Sequence, residues 1–361
     1  MLPFLTKLAV TEFALYEDEV ELCCETIEHS PAELNSLLTP LEQGVFRYNA
    51  MMSLITEKKI VIDDVDIVIT QGGVETLAGG IYLVDRRLSA LMEESRIDEN
   101  VRRSAVFLAA NLANHINGKS DHECLPLLIE PAMDNEIMPE AALSGVKDIT
   151  RAPVYHAFSH RAAASLFLDD MYKGSYDGRM IIAHLGIEIS VGAFDMGRII
   201  DSNSPLDGEG PFSSTTSGAL PTGGLLELCY SGRYDMDEIL RLVTESGGLA
   251  AHLGDGSLSS VEGACLAGDE TTIFLVRAMA YRVAKEIGAR AVALRGDVEG
   301  IVFTGPWALF KFFVDEITAR VKWIAPVRTY VWQSELYLLM ISAARTFEGN
   351  VRIDLYGQSK I

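Results

Sequence analysis

The sequence lacks a long apolar run. Although 48% of its 361 residues are hydrophobic, no stretch reaches the roughly 18 apolar residues that cross a bilayer. The first residues, MLPFLTKLAVTEF, contain no basic segment and no small-residue cleavage site of the kind that marks a secretory signal. These absences argue against a membrane partner and predict a soluble, cytoplasmic protein.

Positive charge is also scarce. The chain has 30 Lys and Arg residues against 51 Asp and Glu residues, which gives a formal net charge of -21. Such an excess of negative charge opposes binding to nucleic acid or to an anionic membrane. A local cationic pocket for a small acidic ligand is still compatible with this balance. Arg151, Arg161 and Arg198 are the cations nearest to the motifs described below, and solvated surface roles are the alternative for them.

The five cysteines show no metal-binding pattern. None belongs to a CxxC pair, and no histidine–cysteine cluster has the spacing of a zinc site. We therefore expect reduced, structural thiols. His156 and His160 are four residues apart and would face the same way on a helix, a spacing that can bind zinc, but the sequence offers no evident third ligand.

The first half of the chain begins with a hairpin pattern. Two β-rich runs flank the polar turn EDE, and DDVDIVITQGG is a strand that ends on a glycine turn. The stretch VRRSAVFLAANLANHI has apolar residues at helical spacing, and CLPLLIEP reads as a short buried strand. These elements predict an α/β domain.

The second half repeats this order. MIIAHLGIEISVGAFDMGRII predicts a hairpin with DMG as its turn, and FLVRAMAYRVAKEIGA predicts an amphipathic helix. VEGIVFTGP and VKWIAPVRTY predict strands, and SELYLLMISAARTF predicts a last helix. The repeated order predicts two duplicated α/β domains facing a cleft, built from residues 1–150 plus about 336–361 and from residues 151–335. We expect the hairpins at 8–27 and 180–201 each to open a mixed five-stranded sheet.

Several ordered motifs give the chain a family resemblance. GRIIDSNSPLDGEGPFSSTTSGALP, followed by CYSGRY, is the most specific stretch, and TIEHS, SGVKDITRAPVYHA, AMAYRVAKEIGA and FTG also fit. From ALYEDE to SAARTF the chain resembles the butyrate kinases, within the acetate kinase family and the sugar kinase/actin/Hsp70 superfamily. The resemblance implies two ribonuclease-H-like domains and a cleft. It also implies phosphoryl transfer from Mg-ATP to a short-chain carboxylate, and homodimers or higher oligomers.

The resemblance also places two phosphate-binding loops in this chain, and both are altered. LTKLAVTE stands at the first loop and contains no glycine. The second loop keeps His184 and Gly186, but Ile187 and Glu188 stand where the family has two more glycines. Glycine serves there because backbone amides must approach phosphate without an intervening Cβ. A glutamate at that place would repel phosphate.

Other family positions are also replaced. The resemblance puts the family's transition-state arginine at Thr216 and its substrate-carboxylate arginine at Gln71. An arginine on the transferring phosphoryl group contributes about 10³-fold or more in rate. Glu130 replaces an aspartate that serves the acceptor carboxylate or a metal, and His156 stands where the family has an active-site histidine. The nucleotide and metal positions implied by the resemblance are His184, Gly186, Ile187, Glu188, Gly305, Pro306 and Glu335 for nucleotide, and Glu130 and Glu335 for metal.

Each of these residues also has a structural interpretation. Glu188 is either a ligand in a changed site or a residue that fills a site freed from phosphate. His156 and His184 are either chemical groups or hydrogen-bonded core histidines. Asp207 and Glu209 either bind magnesium or accept backbone hydrogen bonds in a turn.

Taken together, the resemblance and the replacements predict a butyrate-kinase-like protein that is catalytically impaired or inactive. One alternative is an active carboxylate kinase with a rearranged site that uses Glu130 and His156. The other alternative is a non-catalytic partner or regulator of an active paralogue.

Overall fold

The computed structural model describes most of the chain, with gaps. None of the helices in this part is long and apolar enough to cross a membrane. The described residues are 10–17, 20–30, 33, 37, 39–71, 77, 80–93, 100–119, 123–129, 136–151, 155–172, 178–331, 336–337, 339–341 and 353–355.

The chain divides into two compact units. The first unit contains Met1–Ala132 and Gln333–Ile361, and the second contains Met133–Trp332. We expected the division near residue 150. The segment 136–151 joins the second unit because the amide of Met138 donates to the oxygen of Ile200 (2.9 Å) and Arg151 pairs with Glu209.

The first unit opens with the predicted hairpin. Strands β1 (Val10–Glu17) and β2 (Val20–Glu28) pair antiparallel and form a two-stranded sheet of their own. Phe13 and Ile27 pack against a core of the first unit, whereas Glu12, Glu21 and Glu28 are exposed. Charged side chains of this kind are typical of edge strands, which do not pair further. The prediction that this hairpin opens a five-stranded sheet is therefore wrong for the residues that the structure describes.

A separate four-stranded sheet lies in the first unit. Its order is β11 (Ile353–Asp354), β4 (Ile81–Leu83), β5 (Leu125–Ile129) and β3 (Ile67–Thr70). Strand β3 runs parallel to β5, β4 runs antiparallel to β5, and β11 runs parallel to β4. The strands predicted from DDVDIVITQGG and CLPLLIEP are thus confirmed, and the structure shows that they are neighbours.

Three described helices cover this part of the chain: α1 (Pro40–Lys58), α2 (Arg86–Glu93) and α3 (Asn100–Asn117). Helix α1 begins at a capping box, in which the Thr39 side chain accepts a hydrogen bond from the amide of Glu42. In return, the Glu42 carboxylate accepts a hydrogen bond from the amide of Thr39. Helix α3 is confirmed, and the side chains that it buries are Val106, Ala109, Ala113 and Ile116. Among the described residues of the apolar face predicted from the spacing, only Ile116 is fully buried, whereas Ala105, Leu108 and Leu112 are half-buried.

The second unit contains the predicted mixed five-stranded sheet. Its order is β10 (Val327–Thr329), β9 (Gly300–Thr304), β6 (Arg179–Leu185), β7 (Ile189–Asp195) and β8 (Arg198–Ser202). Strands β6, β7 and β8 are antiparallel neighbours, and β9 and β10 run parallel to β6. The VKWIAPVRTY segment is strand only over Val327–Thr329, since residues 322–325 form turns and a bend.

Helices cover both faces of this sheet. Helix α5 (Ala157–Tyr172) packs on one face, where Phe167 meets Met180, Ile182 and Val302. Helices α10 (Glu270–Ala293) and α11 (Lys311–Val321) pack on the other. The side chains of Leu275, Met279, Val283 and Ile287 are buried there, which confirms the predicted helix. Burying one such side chain stabilises the fold by about 1.5–3 kcal/mol.

Shorter helices complete the second unit. They are α4 (Pro139–Ala142), α6 (Thr222–Cys229), α7 (Met236–Thr244), α8 (Gly248–Leu253) and α9 (Leu258–Leu266), with 3-10 turns at Pro205–Asp207 and Pro306–Leu309. Of the last predicted helix, residues 336–337 and 339–341 are helical and the rest lies outside the described residues.

Candidate functional site

The site lies where the parallel strands β6 and β9 end. His184 pairs with Thr304 in the register of these strands, so the turns that follow them emerge side by side. Gly305 has a φ of +85°, and a Cβ at this position would lie 2.7 Å from the main-chain oxygen of Leu185. Glycine is therefore required for the two turns to approach each other.

His156 occupies the centre of this arrangement. It immediately precedes α5, and its Nδ1 lies 2.9 Å from the hydroxyl of Ser190 on β7. Its Nε2 lies 3.6 Å from a carboxylate oxygen of Glu188. Its ring stacks on that of His184, with the ring centroids 4.0 Å apart. The structure thus brings together three residues that the sequence placed at one site.

His160 approaches the same serine from one helical turn further along α5. Its Nε2 lies 2.9 Å from the Ser190 hydroxyl, and the edge of the Tyr155 ring packs against it. A Cβ on Gly192 would lie 2.8 Å from Nδ1 of His160. His160 fits into the core because Gly192 carries no side chain.

Two of these histidines are held neutral. Burial lowers the pKa of His160 to about 3, and the neighbouring His156 adds to this effect. Burial also holds the pKa of His184 well below its usual range, again with contributions from His156 and His160. Both rings are therefore neutral imidazoles near pH 7.

The turn between β6 and β7 is closed by a hydrogen bond within its own main chain. The amide of Gly186 donates to the main-chain oxygen of Glu188 at 3.2 Å. Ile187 points outward with 55% of its surface exposed, whereas the side chain of Glu188 is mostly buried beside His156. This turn presents a carboxylate and a branched apolar side chain at the end of β6.

Thr216 lies in a turn with no access to solvent. Its side chain is fully buried, and its hydroxyl is 2.7 Å from that of Ser213. The amide of Ser213 donates to the oxygen of Thr216 at 3.0 Å. The position that the resemblance assigns to an arginine is therefore a small polar residue in a closed, hydrogen-bonded turn.

Asp207 and Glu209 accept hydrogen bonds within the protein. The side chain of Glu209 receives two hydrogen bonds from Arg151, at 2.7 and 2.8 Å, and one from the amide of Ser204. Burial raises the pKa of Glu209, but these hydrogen bonds outweigh it and the pKa is lowered overall. Asp207 accepts from the Ser204 hydroxyl at 2.7 Å. Within the described ranges, no group of three or more His, Cys, Asp or Glu residues is arranged to hold a metal ion.

The other predicted positions are scattered. Gln71 follows β3 in the first unit and is half-buried, and Pro306 begins the 3-10 turn after Gly305. Glu130 and Glu335 lie outside the described residues. Arg161 pairs with Glu136 at 2.7 Å, and Arg198 donates to the main-chain oxygen of Glu136. His156 and His160 converge on Ser190.

Ser190 is the site residue that the sequence did not reveal. Ile189, Val191 and Ala193 of β7 face the core beneath α10, so the alternate position 190 faces α5. A serine in an otherwise apolar strand, opposite histidines at i and i+4 on a helix, is the signal that could have indicated it.

Comparisons with known proteins agree with this fold. The sequence pattern of the acetokinase family matches residues 146–308. Butyrate kinase 2 of Clostridium acetobutylicum is 33% identical over 347 residues, which is 96% of each chain. A probable butyrate kinase of Listeria innocua is also 33% identical over 347 residues and 96% of each chain.

Solved structures of low sequence identity share the architecture. The acetate kinase of Porphyromonas gingivalis aligns with a TM-score of 0.73 at 16% identity, over 93% of this chain and 90% of that one. A propionate kinase from Francisella tularensis aligns with a TM-score of 0.65 at 15% identity, over 92% and 91%. The fold is thus the two-domain α/β fold of these acetate and propionate kinases, as predicted. The chain belongs to the acetokinase family, as a relative of the butyrate kinases.

Proposed function

We propose that this protein is a butyrate-kinase-like chain whose family reaction is impaired or lost. That reaction converts ATP and a short-chain carboxylate into an acyl phosphate and ADP. The observation that carries the proposal is the carboxylate of Glu188, which stands beside His156 in the turn at the end of β6. The resemblance assigns this turn to phosphate.

Electrostatics supports this proposal. Two like charges 4 Å apart repel by about 4 kcal/mol at an effective dielectric constant of about 20. The amide of Gly186 is already bonded to Glu188 within the turn, and Pro306 has no amide to donate. Ile187 adds a Cβ where a phosphate would need close approach to the backbone. These residues do not fit the phosphates of Mg-ATP.

The missing cation is the second support. Phosphoryl transfer depends on positive charge around the transferring group, with little covalent help from the protein. Thr216 supplies no charge and is fully enclosed by its turn. No described side chain at the end of β6 is a lysine or an arginine that could take this part, since His156, His184, Ser190 and Glu188 fill that end.

Two assays on the full-length protein test the proposal. Acyl phosphate formed from butyrate or acetate is trapped as hydroxamate, and binding of ATP with magnesium is followed by calorimetry. We expect turnover at least about 10³-fold below the roughly 1–100 s⁻¹ of ordinary kinases. Butyrate kinase 2 of Clostridium acetobutylicum, assayed in parallel, provides the active comparison. Ordinary turnover with either carboxylate would favour the active kinase with a rearranged site.

A second candidate function is that of a protein partner. Several apolar side chains on the second unit are exposed, among them Tyr230 (86%), Leu266 (82%) and Met236 (76%). Exposed apolar side chains that lie together are typical of surfaces that bind protein. We propose that the region of Tyr230 and Met236, which are close in sequence, joins two copies of the chain, and that regulation of an active paralogue is the alternative use of it.

Sedimentation analysis distinguishes these uses. We expect a dimer for the wild type and a monomer for Tyr230→Glu combined with Met236→Glu. Trp323→Glu, which changes an exposed aromatic residue after α11, is the matched control. A wild type that is monomeric alone, but associates with an active butyrate kinase, would support the regulator instead.

A further inference from the structure

A chain of hydrogen bonds runs from α5 through β7 to the turn after β6. It links Nε2 of His160 to the hydroxyl of Ser190 and that hydroxyl to Nδ1 of His156, each at 2.9 Å. On the far side of the His156 ring, Nε2 lies 3.6 Å from the carboxylate of Glu188. Ser190 is fully buried and thus serves these two rings away from solvent.

The direction of this chain follows from the number of protons. A hydroxyl has one proton to donate, and a neutral imidazole has one donor nitrogen and one acceptor nitrogen. Between two neutral rings, Ser190 therefore donates to one histidine and accepts from the other. Two arrangements satisfy this rule, and they differ in which nitrogen of each ring carries its proton.

Burial of His160 selects between them. Its Nδ1 is buried and has no hydrogen-bond partner among the described residues. A proton on this nitrogen would be a buried N–H donor without an acceptor, and such orphaned donors are rarer in folded proteins than unpaired acceptors. The proton of His160 is therefore on Nε2, and that group donates to Ser190.

We propose that Ser190 and His160 are positioning residues, which hold His156 as the neutral tautomer with its proton on Nε2. Ser190 donates its only proton to Nδ1 of His156, so the remaining N–H of that ring faces Glu188. The N–H then holds the carboxylate over the turn. This inference concerns the same site as the proposed function and rests on that assignment of the turn to phosphate. Its experiment reads ring protonation instead of turnover, so the two can fail separately.

The experiment is nitrogen NMR of the full-length chain labelled in its histidine rings. Long-range proton–nitrogen correlations distinguish the two neutral tautomers and the imidazolium. A His156→Asn variant identifies the His156 signal by its absence. We expect the wild type to show only the Nε2–H form of His156 near neutral pH, and the Nε2–H form of His160.

Two variants then test the cause. Ser190→Ala removes the donor to Nδ1, so the His156 signal is expected to become an average of both tautomers. Ser202→Ala is the matched control, because it removes another fully buried serine hydroxyl from the same sheet, one that bonds main-chain oxygens. It should leave the wild-type pattern unchanged. His160→Gln keeps a side-chain donor beside Ser190 and should preserve the His156 signal.

The proposal is overturned by a wild-type His156 that is Nδ1-protonated, mixed or charged near neutral pH. It is also overturned if folded Ser190→Ala retains the pure Nε2–H signal. Should Ser190→Ala fail to fold, the wild-type spectrum and His160→Gln decide the matter, since loss of the signal in that conservative variant contradicts the proposed relay.

Discussion

The ring of His156 lies on the ring of His184, with an angle of 19° between the two planes. One ring comes from the residue before α5 and the other from the end of β6, so the contact joins the start of a helix to the sheet. His184 is buried, and its neutral state is part of what the folded second unit requires.

The free energy of unfolding should therefore decrease as the pH is lowered below the ordinary pKa of histidine. In the unfolded chain His160 and His184 bind protons below about pH 6.5, whereas the folded chain keeps them neutral. The folded pKa of His160 is about 3, so the unfolded state binds more protons from about pH 6.5 down to that value. Each such histidine lowers the free energy of unfolding by up to about 1.4 kcal/mol per pH unit across this window. Urea unfolding at a series of pH values measures this slope.

His160→Gln isolates the contribution of one ring. The variant is expected to reduce the slope by up to about 1.4 kcal/mol per pH unit, because glutamine does not titrate. Ser202→Ala should retain the wild-type slope while losing some stability. An unchanged slope in His160→Gln would contradict the assignment of a depressed pKa to this ring.

Replacing Ile187 and Glu188 by glycine should restore measurable affinity for ATP or ADP. The change removes the carboxylate and opens the turn to phosphate. The gain is limited, because Pro306 still lacks an amide. We expect a Kd in the high micromolar to millimolar range, about 4–6 kcal/mol, measured by calorimetry.

The single variant Ile187→Gly is the control for that experiment. It relieves the crowding but keeps the charge of Glu188, and is expected to bind nucleotide no better than the wild type. Tight binding by the wild type, unchanged in the double variant, would show that nucleotide uses other contacts and would refute the proposed degenerate site.

Thr216→Arg should not rescue kinase activity. The side chain of Thr216 is fully buried and bonded to Ser213, so an arginine has neither space nor a partner there. An unpaired buried charge costs several kcal/mol. We expect a loss of about 3 kcal/mol or more in urea unfolding and no gain in acyl phosphate. Leu220→Arg, at a nearby exposed position, should remain as stable as the wild type. A stable Thr216→Arg protein with increased turnover would show that this turn opens.

Arg290→Met should be strongly destabilising. Arg290 is buried on α10, donates to the oxygen of Val191 at 3.1 Å, and pairs with Asp201 and Glu286. Removing one member of a buried ion pair costs about 3–5 kcal/mol because the partner charge stays buried. Arg320→Met, which breaks the more exposed pair with Glu316, should cost less than about 1 kcal/mol. Equal losses in the two variants would contradict this difference.

Much of the second unit could be predicted from sequence because its patterns are strong. Leu275, Met279, Val283 and Ile287 mark α10 by their spacing, and apolar runs mark β6 and β9. The first hairpin was also predicted, but it was not predicted that β1 and β2 form a sheet of their own among the residues that the structure describes. Pairing depends on which strands meet in space, and exposed glutamates on β1 and β2 hint at an edge without fixing it.

The site was predicted only in part, because it too depends on which residues meet in space. Resemblance placed His156, His184 and Glu188 together, and the structure brings them into contact. Burial of Thr216 was not predicted, because a run of serine and threonine is typical of an exposed loop. Only the structure shows that the hydroxyls of Ser213 and Thr216 form a hydrogen bond with each other. Ser190 was missed because one serine in a strand carries no chemical signal before the helix opposite is placed.

Gly192 shows that packing, as well as chemistry, can explain the histidine at position 160. A side chain at this position would press on the ring of His160, so a histidine at 160 requires a glycine at 192. A chain that no longer needs turnover would still need this pair to pack the second unit. A histidine at 160 is therefore explained by packing alone, and whether the family's function is inherited must be judged from the turn at Ile187 and Glu188 instead.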